Sequence, residues 1–287
     1  MKRSTDTIPS AASVQPSAFS DVARQRILSL KGDPFLLADW RNVVFLHFAI
    51  NPDALRPLVP APLELELHEG NACVSLVALT MRHFRPFKHR SLAGWMFFPL
   101  GQQSFLNVRT YVRWRNEPGA FFLWGWLSKP FGVGLPLERM GLPCGFCSLE
   151  YDHSHAKGRV LGLGKQGGMS LKYHATIAAQ TEFTLCQPGS LAEFAMERYT
   201  GFFSRGAQPW IFRAWHEPWL QTPLDIKIEE DGLLREKFPW FKEAKLAGVN
   251  FAPGFDRVWL GRAHQLRKAR LTKTTNRRVL SAFYEMP

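Results

Sequence analysis

Two arginines, an asparagine and a tyrosine alternate along one stretch, Phe105-Leu106-Asn107-Val108-Arg109-Thr110-Tyr111-Val112-Arg113-Trp114. In an extended strand, successive side chains point to opposite faces. Leu106, Val108, Thr110, Val112 and Trp114 therefore share one face, and Phe105, Asn107, Arg109, Tyr111 and Arg113 share the other. Guanidinium groups held among apolar strands bind carboxylate or phosphate through a planar fork. A solvated sheet face, with arginine stems lying over aromatics, has the same alternation, and the two readings weigh equally. His47 and His216 each sit in an apolar stretch, where an imidazole is either a hydrogen-bonded core residue or a pocket group. As pocket groups they join Asn107, Arg109, Tyr111 and Arg113 in one candidate site for a small anionic organic molecule. Phe122, Trp124 and Trp126 are candidate walls.

A second chemical signal is Gly141-Leu142-Pro143-Cys144-Gly145-Phe146-Cys147. Its C-x-x-C spacing suits thiol redox chemistry or zinc. Redox chemistry needs the first cysteine at a helix N-terminus, where the dipole lowers the thiol pKa. The residues after Cys147, Ser148-Leu149-Glu150-Tyr151, are strand-like instead. Zinc needs two further ligands, and no second Cys/His pair stands at finger spacing. Packing cysteines are the expectation. Asp152-His153-Ser154-His155 offers two imidazoles and a carboxylate, but ahead of Gly158 it reads as a solvated hairpin tip. No metal is expected, and no cofactor. Gly162-Leu163-Gly164-Lys165-Gln166-Gly167 fits G-x-G-x-x-G, yet the strand-like Met169–Ala175 follows where a dinucleotide site needs a helix. A hairpin or loop is expected there. Ser104, Ser148 and Ser170 lack the glycines of a nucleophile elbow. Glu64 and Glu66 alternate with leucines like an exposed strand face.

The elements that must position these groups are mostly short apolar runs between turn residues. Arg41–Ile50, Ala72–Thr80, Phe105–Trp114, Phe121–Leu127, Cys147–Tyr151, Leu171–Ala179 and Trp210–His216 read as strands. Many strands with little helix between them point to a mainly β, antiparallel barrel or sandwich. Helices are expected at 21–30, 52–58 and 190–203, the last opened by a Ser190/Glu193 capping box. A further helix over 231–247 is broken by Pro239. Residues 1–20 read as a disordered leader, 21–262 as a single domain and 263–287 as a basic tail.

The composition, 46% hydrophobic and 13% aromatic, supplies an ample core. The net charge is +12, and seven basic residues without an acid lie between Arg262 and Arg278. They form either an arm for nucleic acid or a solvated tail. The segment lacks aromatic interleaving, so nucleic acid is not the expected partner. Four cysteines in 287 residues are no disulfide framework. No apolar run approaches the roughly 18–20 residues that span a bilayer. A cytoplasmic protein without membrane insertion is expected.

Several segments, in order, resemble one family. They are Ala38-Asp39-Trp40-Arg41-Asn42-Val43-Val44 through Asn51-Pro52-Asp53-Ala54-Leu55, then Leu58-Val59-Pro60, Leu63-Glu64-Leu65, Ala72-Cys73-Val74-Ser75-Leu76-Val77 and Asn107–Val112. Gly189-Ser190-Leu191, Glu197-Arg198-Tyr199, His216-Glu217-Pro218-Trp219 and Ala252-Pro253-Gly254 continue the match. Over about residues 35–262 the chain resembles the YqjF-like family of uncharacterised proteins, itself similar to acetoacetate decarboxylase. The resemblance implies a largely antiparallel, β-barrel-like acetoacetate decarboxylase-like fold with a few peripheral helices and a central pocket. Those decarboxylases form a Schiff base between a lysine and a β-keto acid, from a motif Gly-Phe-Pro-Lys-Lys. Here Gly141-Leu142-Pro143 matches its start, and Cys144 and Gly145 stand at the lysine pair. Neither can form an iminium. Lys129, Lys165 and Lys172 are the other lysines nearby, and nothing in the sequence places them inside. The resemblance implies a binding protein, or an enzyme of undefined reaction. A lyase with another catalytic residue, or an interaction protein using its basic tail, are the competing readings. The decarboxylase relatives assemble as oligomers, which leaves a homo-oligomer open.

Overall fold

The computed structural model describes residues 16–87, 102–129 and 141–266. Most of the leader and of the basic tail therefore lies outside the described residues. Residues 16–20 are helical, within a helix Pro16–Ser29 that begins earlier than the sequence pattern implied.

In chain order the strands are β1 (Leu36–Ile50), β2 (Glu64–Leu65), β3 (Leu67–His68), β4 (Asn71–Pro86), β5 (Gln102–Trp114) and β6 (Glu117–Leu127). There follow β7 (Cys144–Phe146), β8 (Ser148–Ser154), β9 (Arg159–Gln166), β10 (Met169–Thr176), β11 (Thr184–Leu185) and β12 (Thr200–Arg205). The last are β13 (Gln208–Trp215), β14 (Leu220–Pro223), β15 (Lys227–Glu230), β16 (Lys245–Leu260) and β17 (His264–Gln265). The protein is mainly β. In the larger sheet the neighbours run β16-β1-β4-β5-β6-β12-β13, and β13 pairs back onto β16 at Ala214↔Leu260 and Trp215↔Trp259.

The expected antiparallel sheet is in fact mixed. β12 runs parallel to β6, through Gly201↔Ala120 and Phe202↔Phe121. β7 is also parallel to β6. The cause is connectivity: parallel neighbours need a crossover. The chain makes one between β6 and β12 by way of the smaller sheet, whose order is β15-β10-β9-β8.

Strand alternation sorts the apolar residues into two cores, because both faces of the larger sheet are covered. Val44, Leu46, Val74, Leu76, Leu106 and Val108 pack with Leu149, Val160, Leu171 and Tyr173 of the smaller sheet. Val43, Phe45, Val77, Leu79, Met81 and Phe105 face the other way and pack with Phe212, Trp219 and Leu260. The face of β5 that carries Asn107 and Arg109 is thus an interior face.

The Ser190 cap forms, with Ser190 Oγ accepting from Glu193 N at 3.2 Å, while Glu193 accepts from Gly189 N at 2.7 Å. The helix stops at Met196, however, not at Phe203. Thr200–Arg205 is strand β12 because its β-branched and aromatic residues pair with β13 and β6. The expected helix over 231–247 ends at Lys237, and the segment from Lys245 is β16. The glycine motif at 162–167 lies in β9 and its hairpin to β10. No helix among the described residues is long and apolar enough to cross a membrane.

Candidate functional site

The second core encloses a cavity of about 70 Å³, walled mainly by Trp40, Phe45, Phe105, Phe122, Phe212 and Trp219. One water needs roughly 10–15 Å³ on the same measure, so the space suits a small organic molecule. β1, β4 and β5 supply one side, and β12, β13 and the turn before β14 supply the other. Close backbone approach shapes the wall. Gly254, at φ +93°, passes so near Trp40 that a Cβ would stand 2.0 Å from the Trp40 carbonyl oxygen. A Cβ on Gly201 would meet the Phe212 ring at 2.2 Å.

Among the described residues, four buried polar atoms on cavity-lining residues have no partner: Arg109 Nε, Asn107 Oδ1, Trp40 Nε1 and Trp219 Nε1. Arg109 is half-buried. Its Nη2 donates to Ala195 O at 2.9 Å, and its guanidinium lies 5.6 Å from the Phe45 ring centroid and 5.8 Å from that of Tyr111. No acidic side chain among the described residues pairs with it. Arg198 also lines the cavity, but Glu66 neutralises it at 2.6 Å.

The candidate residues separate on this frame. Asn107, Arg109 and His216 line the cavity. Arg113 does not; it bonds to the other oxygen of Glu66. Glu66 is thus drawn inward as the partner of two arginines, where an exposed strand face was expected. Tyr111 and His47 lie behind Arg109 in a buried relay: His47 Nδ1 is 2.7 Å from Ser75 Oγ, which is 2.5 Å from Tyr111 OH. Burial, and then the nearby Arg109 charge, push the His47 pKa down to about 3, so the ring is neutral. Burial likewise raises the Tyr111 phenol. His216 donates from Nδ1 to Glu217 O at 2.7 Å and stacks on Phe255. Burial lowers its pKa to about 4. Phe122 is in the wall, whereas Trp126 belongs to the first core and Trp124 packs against it.

Trp40, Trp219 and the segment Met196-Glu197-Arg198 contribute more to the site than their sequence context suggested. Glu197 fixes Trp219 by accepting from its backbone N at 2.9 Å and from Tyr199 OH at 2.5 Å. Burial raises the Glu197 carboxyl to about 7. A sequence signal existed for both, since Glu197 and Trp219 lie in the family-like segments.

Cys144 and Gly145 are on β7, opposite Gly125 and Trp126 of β6. Cys144 packs against the core that encloses the cavity. A Cβ on Gly145 would come within 3.0 Å of the Trp124 ring, so that ring fills the space a side chain would need. Cys147 is buried, its Sγ is 3.3 Å from Lys165 O, and burial lifts its thiol to about 11. That is opposite to the lowering a reactive thiol requires. The solvated hairpin tip at 152–155 is corrected as well. His153 is buried between Asn42 O at 2.9 Å and Tyr173 OH at 3.0 Å. Among the described residues no group of three or more His, Cys, Asp or Glu is arranged to hold a metal. Lys129 and Lys165 are exposed, and Lys172 pairs with Glu229 at 2.6 Å.

A family model described as an uncharacterised conserved protein, DUF2071, matches residues 37–256. The uncharacterised protein YqjF of Bacillus subtilis (strain 168) is 34% identical over 227 residues, covering 75% of this chain and 89% of the relative. An acetoacetate decarboxylase-like enzyme from Sphingomonas wittichii RW1 has a similar fold, with TM-score 0.57 and 14% identity over 83% of this chain and 97% of that one. Acetoacetate decarboxylase from Legionella pneumophila gives TM-score 0.56 and 14% identity over 81% and 87%. The enduracididine biosynthesis enzyme MppR complexed with pyruvate gives 0.58 and 15% over 83% and 92%. At these identities the likeness to the solved structures is one of fold.

Proposed function

The chain belongs to the DUF2071 family of uncharacterised conserved proteins, and from its cavity we propose that it binds a small, largely apolar carboxylate anchored by Arg109. The observation that carries this reading is a guanidinium in an aromatic-walled cavity with no acidic partner among the described residues and an unsatisfied Nε. A cation in apolar surroundings is costly unless an anion meets it. A carboxylate supplies that anion and matches the planar fork. The indole N–H groups of Trp40 and Trp219 are further donors suited to acceptor oxygens. In this reading the ring of strands is a barrel-like container, and the aromatic walls select an apolar remainder. Pyruvate, the molecule bound to MppR, is a carboxylate of this general kind.

Schiff-base decarboxylation is not part of the proposal. Cys144 and Gly145 supply no amine, and no lysine is among the described residues lining the cavity. Thermal unfolding with 4-methylpentanoate and benzoate, each against its uncharged amide, tests the carboxylate reading. The carboxylates should raise the melting temperature and the amides should not. Equal effects of acid and amide would sink it.

A further inference from the structure

Asn107 adds a requirement that a plain carboxylate leaves unmet. Its amide orientation follows from chemistry, because Val77 O can only accept a hydrogen bond. Nδ2 must face that carbonyl, at 3.3 Å, and Oδ1 must point elsewhere. Oδ1 is a buried acceptor with no donor among the described residues, on a residue 4% exposed. The other unsatisfied atoms of the cavity residues, Arg109 Nε, Trp40 Nε1 and Trp219 Nε1, are all donors. A carboxylate satisfies donors only. Oδ1 needs a ligand group that gives a proton.

Asn107 and Arg109 are two apart on β5 and on one face, so their Cα atoms stand about 7 Å from each other. One small molecule can touch both. We infer that the cavity takes a 2-hydroxy carboxylate with a short apolar side chain, its carboxylate on Arg109 and its hydroxyl donating to Asn107 Oδ1. This inference rests on the carboxylate reading above. A deoxy acid leaves Oδ1 unsatisfied. A 2-oxo acid turns an acceptor toward an acceptor, which is worse.

The test is calorimetric titration of the full chain with matched skeletons: 2-hydroxy-4-methylpentanoate, 4-methylpentanoate and 4-methyl-2-oxopentanoate, then lactate, propanoate and pyruvate. The hydroxy acid should bind about ten- to a hundredfold more tightly than its deoxy partner, the range expected when a buried acceptor gains its donor. Asn107→Leu should abolish the preference, so that hydroxy and deoxy acids bind the variant with equal affinity. If that variant does not fold, the ligand series on the unaltered protein decides the matter alone. Equal affinity for hydroxy and deoxy acids overturns this inference and leaves the carboxylate reading standing. Failure of every acid to bind overturns both.

Discussion

Arg198 and Glu66 form a buried ion pair, Nη1 to Oε2 at 2.6 Å, with side chains 7% and 11% exposed. The second oxygen of Glu66 takes Arg113. One carboxylate thus satisfies both Arg113 and Arg198 and leaves Arg109 to the cavity.

Removing that carboxylate should be costly. Glu66→Gln strands the Arg198 charge in a site already desolvated, and breaking a buried pair from one side costs about 3–5 kcal/mol. Urea unfolding should show a loss of that order. A loss below about 1 kcal/mol would mean that water reaches Arg198 and that the pair does not organise the wall.

Acid should destabilise the fold through three buried imidazoles. Burial lowers His47 to about 3, His153 to about 4 and His216 to about 4, from an ordinary 6.5. The unfolded chain takes up protons below 6.5 while the folded chain does not. The stability these neutral rings contribute is complete above pH 6.5 and is lost as pH falls toward 4. Denaturant titrations at pH 7.5, 6 and 5 should show a stepwise fall. A flat profile would contradict the burial of these rings.

Glu197 acts in the opposite sense. Burial raises its folded pKa to about 7 from 4.5. Its contribution is fully present below pH 4.5 and is lost as pH rises through 7. The scale is about 3 kcal/mol for a shift of this size. Glu197→Gln removes the term, so the variant should gain on the unaltered protein between pH 5 and 8, with the acid-side fall made steeper. Parallel pH profiles for the two proteins would show that Glu197 is not protonated in the fold.

The strand carrying the site was legible because alternation is local. Phe105, Asn107 and Arg109 share a face in the sequence and share the cavity in the structure. The fate of Arg113 was not legible, since it turns on Glu66, which reaches it through the pairing of β2 with β5. Trp40 and Trp219 come together through β16, which pairs with β1 and also with β13 and β14, a set of contacts no local pattern encodes. The mixed character of the sheet was hidden for a similar reason. The start of β12 falls within the helix expected over 190–203, and its direction is decided by the crossover rather than by its residues. The polar run at 152–155 misled because His153 is buried by contacts to Asn42 and Tyr173, both distant in sequence.

The carboxylate site itself is tested most directly by calorimetric titration of 4-methylpentanoate into the unaltered protein, Arg109→Leu and Arg113→Leu. Saturable binding in the unaltered protein and in Arg113→Leu, weakened at least tenfold in Arg109→Leu, is the predicted result, since a charge-assisted fork contributes about 1.5–3 kcal/mol. Binding of equal strength in Arg109→Leu, with the variant folded, would contradict it.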